Sequence, residues 1–388
     1  MFRLRLLFFA TLPLLASYPT MAATFAVGTC SPKLTSFSTI SDAVGSVPPG
    51  STIQVCPGVY PEQITISRPL TLQGIEAGNQ DQVVITVPSV PLAANVTSIF
   101  TESVAAQILV QNASPVNITN ISVDGTGGDQ ACGTSNTWLA GIFYASGSSG
   151  TVNQVRASGQ TDEGCGVGIW AENGGSPNRS VIIQNSSVHD VDGTGIFVGA
   201  GSTPTLTVTI QNNFVSVHTG IGIFLNSVHG EIKENNVNDA LVGVWDVAPE
   251  AHVSTNTVTA TTFGIFLLSS GTVQSNDISN SAYGVVLLAD GANIHSNSIT
   301  LATTAGVELA CNNGTVSDNR INDAAIGLDQ VPLGFKGSNT FANTGMISTD
   351  GCVAAAASAS SIQAPSQTAS PSSFSQWRTP ANPLGSRP

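Results

Sequence analysis

Apolar residues recur along this chain in short runs broken by Asn, Asp and Gly, and the pattern itself repeats. Aligned on apolar-x-x-Asn-x-apolar, a column of asparagines runs Asn213, Asn235, Asn256, Asn276, Asn297 and Asn319, in steps of 22, 21, 20, 21 and 22 residues. A column of glycines keeps phase with it: Gly141, Gly168, Gly195, Gly222, Gly243, Gly264, Gly284, Gly306 and Gly327. The early glycine steps are 27 residues, so the first coils carry larger loops. Two columns in step over so many turns predict a solenoid with coils of about 21 residues.

Each coil reads as three short strands. In the coil that starts at Gly271, TVQ is one strand, Asn276 turns a corner, DIS is the second strand and GVVL the third. Coils stack at the ~4.8 Å spacing of neighbouring strands. Stacked Asn side chains at the corner then satisfy each other's amides, which burial would otherwise leave unpaired. Val273, Ile278, Val285 and Leu287 and their equivalents supply a continuous aliphatic core. Glu308 and Asp329 do not belong in such a core, so the residue two after each repeat Gly faces outward.

The ends differ from the repeat. MFRLR, the apolar LLFFATLPLLA and the small residues up to Ala23 predict a signal peptide over 1–23. That apolar stretch is too short to span a bilayer, so no membrane span is expected and the protein is expected to be secreted or periplasmic. The repeat domain is assigned to 24–352. Residues 353–388, rich in Ala, Ser and Pro, are expected to be disordered, because they hold too little apolar surface to order themselves.

Composition narrows the classes. Only 9% of residues are charged, against the usual ~25%, which suits coils that expose small polar side chains rather than a helical enzyme. The net charge is −13, and losing Arg3 and Arg5 with the leader, with no acid to offset them, takes it to −15. Such a chain does not attract nucleic acid through its overall field, and a polyanionic substrate needs calcium or a local basic patch. Six cysteines in an exported protein suggest three disulfides. Chain order favours Cys30–Cys56, Cys132–Cys165 and Cys311–Cys352 among fifteen connectivities.

The stretch STISDAVGSVPPGSTIQVCPGVYPEQITISRPLTLQG (38–74) resembles the N-terminal part of pectin-lyase-like β-helix proteins. The resemblance, with the Asn column, covers roughly residues 35–350. It implies an all-β, single-stranded right-handed parallel β-helix of about nine to eleven coils, with an amphipathic N-terminal capping helix. Ile40, Val44 and Val47 in ISDAVGSV fit that cap, and Glu62 in PGVYPE falls on a strand that is structural in the superfamily. The resemblance fixes no activity, because the superfamily includes lyases, hydrolases, esterases, epimerases, adhesins and carbohydrate-binding accessory proteins. The paired "DD" of polygalacturonase-like members is absent, and Lys233, Arg179 and Arg320 fall off the expected groove sheet.

Three sets of residues carry candidate chemistry. The outward column after the repeat glycines reads Phe143, Trp170, Phe197, Phe224, Trp245 and Phe266, then Val286, Glu308 and Asp329. Six aromatics in a row are either a platform for sugar rings or a ladder packed on itself and covered by a loop or the tail. His189, Asp190, Asp192 and His218 lie in the loops before the aromatic strands, with Asp192 and His218 at matching positions. An Asp and His in contact make a general acid–base pair, although HDVDG is also good turn chemistry. Glu308 and Asp329, one coil apart, are a carboxylate pair of glycosidase type, a calcium site, or simply a polar end to the stack. His229 and Glu231 in SVHGE are a weaker set.

These readings point to an exported protein that engages a polysaccharide or cell-surface glycan along the aromatic sheet. A polysaccharide hydrolase or lyase and a structural or adhesive module are the rivals. No cofactor is expected, calcium being the one ion its carboxylates suit; three Met and scattered His argue against copper handling. A monomer is expected.

Overall fold

The computed structural model describes residues 22–75, 82–88, 92–100, 102–130, 132–175, 177–201, 205–332, 336–349 and 352. The predicted signal peptide, apart from its last two residues, and the predicted tail 353–388 lie outside the described residues.

Short runs of β-branched residues form the strands, as the repeat requires. The coil that starts at Gly271 has strands Gly271–Gln274, Asp277–Ser279 and Tyr283–Leu287. The next coil lies in register, with Val273 on Ile294, Ile278 on Ile299 and Val285 on Val307. First strands join a 13-stranded sheet, and second and third strands join a 23-stranded sheet that folds around the other two sides. In some coils the corner between those two sides is continuous strand, as in Asn236–Val247 and Thr257–Leu267. Among the described residues every named pairing is parallel except one hairpin, Val96–Thr97 against Ser103–Val110.

The Asn column is a ladder inside the first corner. Each side-chain N–H donates to the next carbonyl oxygen, from Asn213 to Asn235 at 3.0 Å through Asn276 to Asn297 at 2.9 Å. It runs one step beyond the sequence pattern, to Asn339. Each carbonyl oxygen also accepts the backbone N–H of the preceding rung, as Asn297 does from Asn276 at 2.9 Å. The residue before each rung from Asn213 to Asn319 turns the corner in the left-handed region, at φ between 53° and 59°. The amides therefore satisfy a corner that has no water to do so.

The Gly column has a different cause: lack of space. A Cβ on Gly264 would lie 2.3 Å from Ile278 Cγ2 and 2.6 Å from the carbonyl of Gly284. The same contact recurs at Gly168 with Val188 and at Gly243 with Val258, at 2.3 and 2.2 Å. Here the second and third sides pinch together inside the coil, and only a hydrogen fits.

The N-terminal end is closed by helix Ile40–Ser46, which buries Ile40, Ala43 and Val44. Thr39 caps it by accepting from Asp42 N–H, and Glu62 accepts from the amides of Ile40 and Ser41 at 2.9 and 2.7 Å. Glu62 is thus a helix-capping residue. The three disulfides are Cys30–Cys56, Cys132–Cys165 and Cys311–Cys352, the pairing that chain order favours.

Candidate functional site

The aromatic column points away from the coil interior, as alternation predicts, but not into water. Phe143, Trp170, Phe197 and Phe224 are 0% exposed, Trp245 5% and Phe266 4%. They belong to an apolar cluster separate from the aliphatic interior. Neighbouring rings pack on each other: Phe143–Trp170 at 4.9 Å, Trp170–Phe197 at 5.2 Å, Phe197–Phe224 at 5.0 Å and Trp245–Phe266 at 5.1 Å. Trp138 adds an edge contact to Trp170, and Phe263 continues the stack to Tyr283. The expected sugar platform is therefore corrected to a buried wall, the ladder reading of the same column. The cause is the neighbouring outward column: Val167, Ile221, Val242 and Phe263 precede the repeat glycines and are apolar too. A face two apolar columns wide gains more by being covered than by facing water.

The carboxylates that continue this column are also buried. Glu308 and Asp329 pair in register on adjacent strands and are 4% and 8% exposed. Asp329 accepts a hydrogen bond from the Thr349 hydroxyl. Both carboxylates are thus largely withdrawn from solvent, unlike the open pair of a glycosidase site.

The His and Asp residues divide. Asp192 Oδ2 accepts the amides of Asp162 and Gly164, each at 2.8 Å, and Oδ1 accepts that of Gly166 at 3.0 Å. It ties down the loop that carries Cys165 of the Cys132–Cys165 disulfide. In the same loop Asp162 accepts from the amides of Gln130 and Cys132, while burial and the adjacent Asp129 carboxyl push its pKa up. The expected Asp192–His218 contact is replaced by another, in which His218 Nε2 lies 3.9 Å from Asp190.

Asp190, His189 and His218 do come together, on the solvent side of the second face. His189 Nδ1 is 2.7 Å from Asp190 Oδ2, and Arg156 Nε donates to His189 Nε2 at 2.6 Å. The side chains of Asp190 and His218 are 63% and 70% exposed. Asp190 is in the left-handed region, φ 53°, which swings its carboxylate back beside the preceding imidazole. Two coils beyond Arg156 in the same register column stands Phe214, an aromatic 41% open to water. Past it come Asn236 in that column and Asn238 beside Ser216, whose hydroxyl bonds Asp239 at 3.2 Å. Arg156, three His/Asp side chains and Phe214 form an exposed polar patch with one ring in it.

Sequence reasoning missed Arg156 and Phe214. The coil of Arg156 holds Val155, and the next coil Ser186, where later coils hold ladder asparagines, so no Asn marked the register there; Phe214 directly follows the ladder residue Asn213, but its column was not followed back. Once Asn213 is aligned with Ser186 and Val155, Phe214, Ser187 and Arg156 fall in one column. His229 and Glu231 lie on the first sheet, away from this patch, where Glu231 pairs with Lys233 at 3.0 Å. Among the described residues no group of three or more His, Cys, Asp or Glu side chains is placed to share a metal ion.

Against known proteins, the family described as right handed beta helix region matches residues 205–354. The fold is a right-handed parallel β-helix. A GH136 lacto-N-biosidase from Eubacterium ramulus is similar to this β-helix with a TM-score of 0.58 at 10% identity, over 84% of this chain and 68% of that one. A family 28 exopolygalacturonase from Yersinia enterocolitica is similar with a TM-score of 0.51 at 11% identity, over 79% and 72%. Among curated proteins none matches this β-helix in sequence. At such identities the likeness is one of fold.

Proposed function

We propose that this β-helix is an exported protein that engages carbohydrate on the exposed face carrying Arg156, His189, Asp190, Phe214 and His218. The observation that carries the reading is the chain from half-buried Arg156 and His189 to the exposed Asp190 carboxylate, with the exposed Phe214 ring on the same face. Sugar recognition needs planar donors and acceptors beside an apolar ring face, and this patch offers both. Two structural neighbours that carry the names of glycan-cleaving enzymes support the class of ligand. Three disulfides support an oxidising location. Calorimetric titration with neutral and acidic oligosaccharides tests the reading. Phe214→Ala and Arg156→Ala are each expected to weaken binding by about tenfold, as loss of a stacked ring or a charged hydrogen bond does. No binding to any glycan, or unchanged binding by both variants, overturns it.

A second reading, a hydrolase or lyase, is favoured by the His189–Asp190 contact alone, since a carboxylate on an imidazole is a general acid–base pair. Turnover of a polysaccharide panel that Asp190→Asn abolishes while binding survives would establish it. The buried wall favours a purely structural module only if neither binding nor turnover is found.

A further inference from the structure

The hairpin Val96–Val104 crosses the buried wall, and it is seated there rather than laid over it. Val96 and Thr97 pair with Val104 and Ser103, which makes Ser98–Phe100 the tip. The Phe100 ring lies 5.5 Å from that of Phe197, tilted by 58°. It fills the space over Gly199, where a Cβ would come within 2.7 Å of the ring. Ile99 does the same at Gly174, where a Cβ would lie 2.9 Å from Ile99 Cγ2. Neither glycine needs a positive φ, so what these positions supply is room for the tip.

One carboxyl group holds the tip down and another closes its turn. Ile99 N–H donates to Glu172 Oε1 at 3.0 Å, and the Ser98 hydroxyl donates to Glu102 Oε2 at 2.8 Å. Glu172 stands two residues after Trp170 on the same outward face and is 2% exposed, with Oε2 buried and unpaired. Burial first, then the Glu102 charge, push Glu172 up to about 8, while the Ile99 amide and the Trp170 indole pull it down. Glu102, from the strap itself, is the charged group that faces it. An ionised Glu172 in this place is a buried charge opposite a second carboxylate, which is costly unless the tip lifts and lets water in.

We propose that the strap tip Ser98–Phe100 is a lid over the Phe197 part of the wall, shut while the Glu172 carboxyl keeps its proton and released when it loses it. Release uncovers the Phe197 ring face, which can stack on a sugar or another planar group, a latent site distinct from the Arg156 patch. The sign follows from linkage. The shut state holds a proton that an open, solvated Glu172 gives up near its ordinary 4.5, so closure weakens as pH rises above that value and has lost its full advantage beyond about 8.

Hydrogen exchange read by mass spectrometry on the full chain at pH 5 and pH 9, corrected for intrinsic exchange rates, tests this. Protection of the 98–100 and 102–104 amides is expected to fall between the two by about tenfold or more beyond any loss shared by Ile169 and Ile196 in the sheet beneath. Glu172→Gln, neutral at every pH, is expected to keep the strap protected at both. Gly199→Ala, with the Phe100 seat filled, is expected to leave it unprotected at both. The pH profile of the unaltered protein needs no variant, so a variant that fails to fold leaves the test intact. Equal protection at both pH values in the unaltered protein overturns the proposal, as does a Glu172→Gln profile that still falls with pH.

Discussion

Arg156 and His189, on successive coils, meet through a single hydrogen bond in which Arg156 Nε donates to His189 Nε2 at 2.6 Å. An arginine never accepts, so this contact leaves Nε2 without a proton and puts the imidazole proton on Nδ1, facing Asp190. The three residues are therefore one polarised chain, with the carboxylate end in water.

Nitrogen NMR of the imidazole checks that tautomer. His189 is expected as the Nδ1–H form in the intact protein, and Arg156→Ala is expected to release a mixture of both tautomers. An Nε2–H form in the intact protein would refute the arrangement.

The aromatic wall is expected to act on stability. Trp170→Ala and Phe197→Ala each remove a fully buried ring and are expected to cost about 3–5 kcal/mol in denaturant unfolding. At pH 5, glycan affinity of the still-folded fraction is expected to be unchanged. Variants with full stability and lost binding would restore the platform reading.

Gly264→Ala tests the pinched corner. A Cβ there meets Ile278 and a backbone carbonyl at once, so overpacking is expected to cost about 1–3 kcal/mol, or more if the backbone cannot shift. A melting temperature equal to that of the parent would mean that the corner has slack.

Asp246 predicts a pH dependence that comes from the interior. It is 0% exposed at a position that holds Leu225 and Leu267 in the adjacent coils, and it accepts the Ala248 amide at 2.7 Å. Burial pushes it up to about 8, so the folded protein holds a proton that the unfolded chain releases near 3.8. Stability is thus expected to fall as pH rises from about 4 through about 8, and Asp246→Asn is expected to flatten that part of the curve. Calorimetric melting of both proteins across this range decides it, and identical slopes would sink the assignment.

Much of the fold was legible because a solenoid writes its contacts into its period. Asn213 to Asn319 and Gly168 to Gly327 each occupy one place per coil, so a single constraint, a dry corner or a pinched one, appears many times in the chain. The capping helix and the disulfide pairs were legible for a related reason, since each closes a contact between segments near in sequence.

The site was legible only in part. His189, Asp190 and His218 were singled out and do converge, but their partner Arg156 lies 33 residues from His189 in coils with no ladder Asn. Asp192, matched with His218 by loop position, is taken by three amides, and it is Asp190 that faces water beside His218.

The sequence by itself determined the coil, its period, the inward core and which side chains turn outward, because strand alternation and close packing act locally and repeat. Whether outward means wet was decided by the tertiary structure alone. Phe143 to Phe266 and Phe214 are all outward aromatics, yet the first six sit in a face two apolar columns wide and are buried, while Phe214 stands among Ser, Asn and Arg and is open. Burial belongs to the neighbourhood of a side chain, and that neighbourhood comes from several coils and a crossing strap at once.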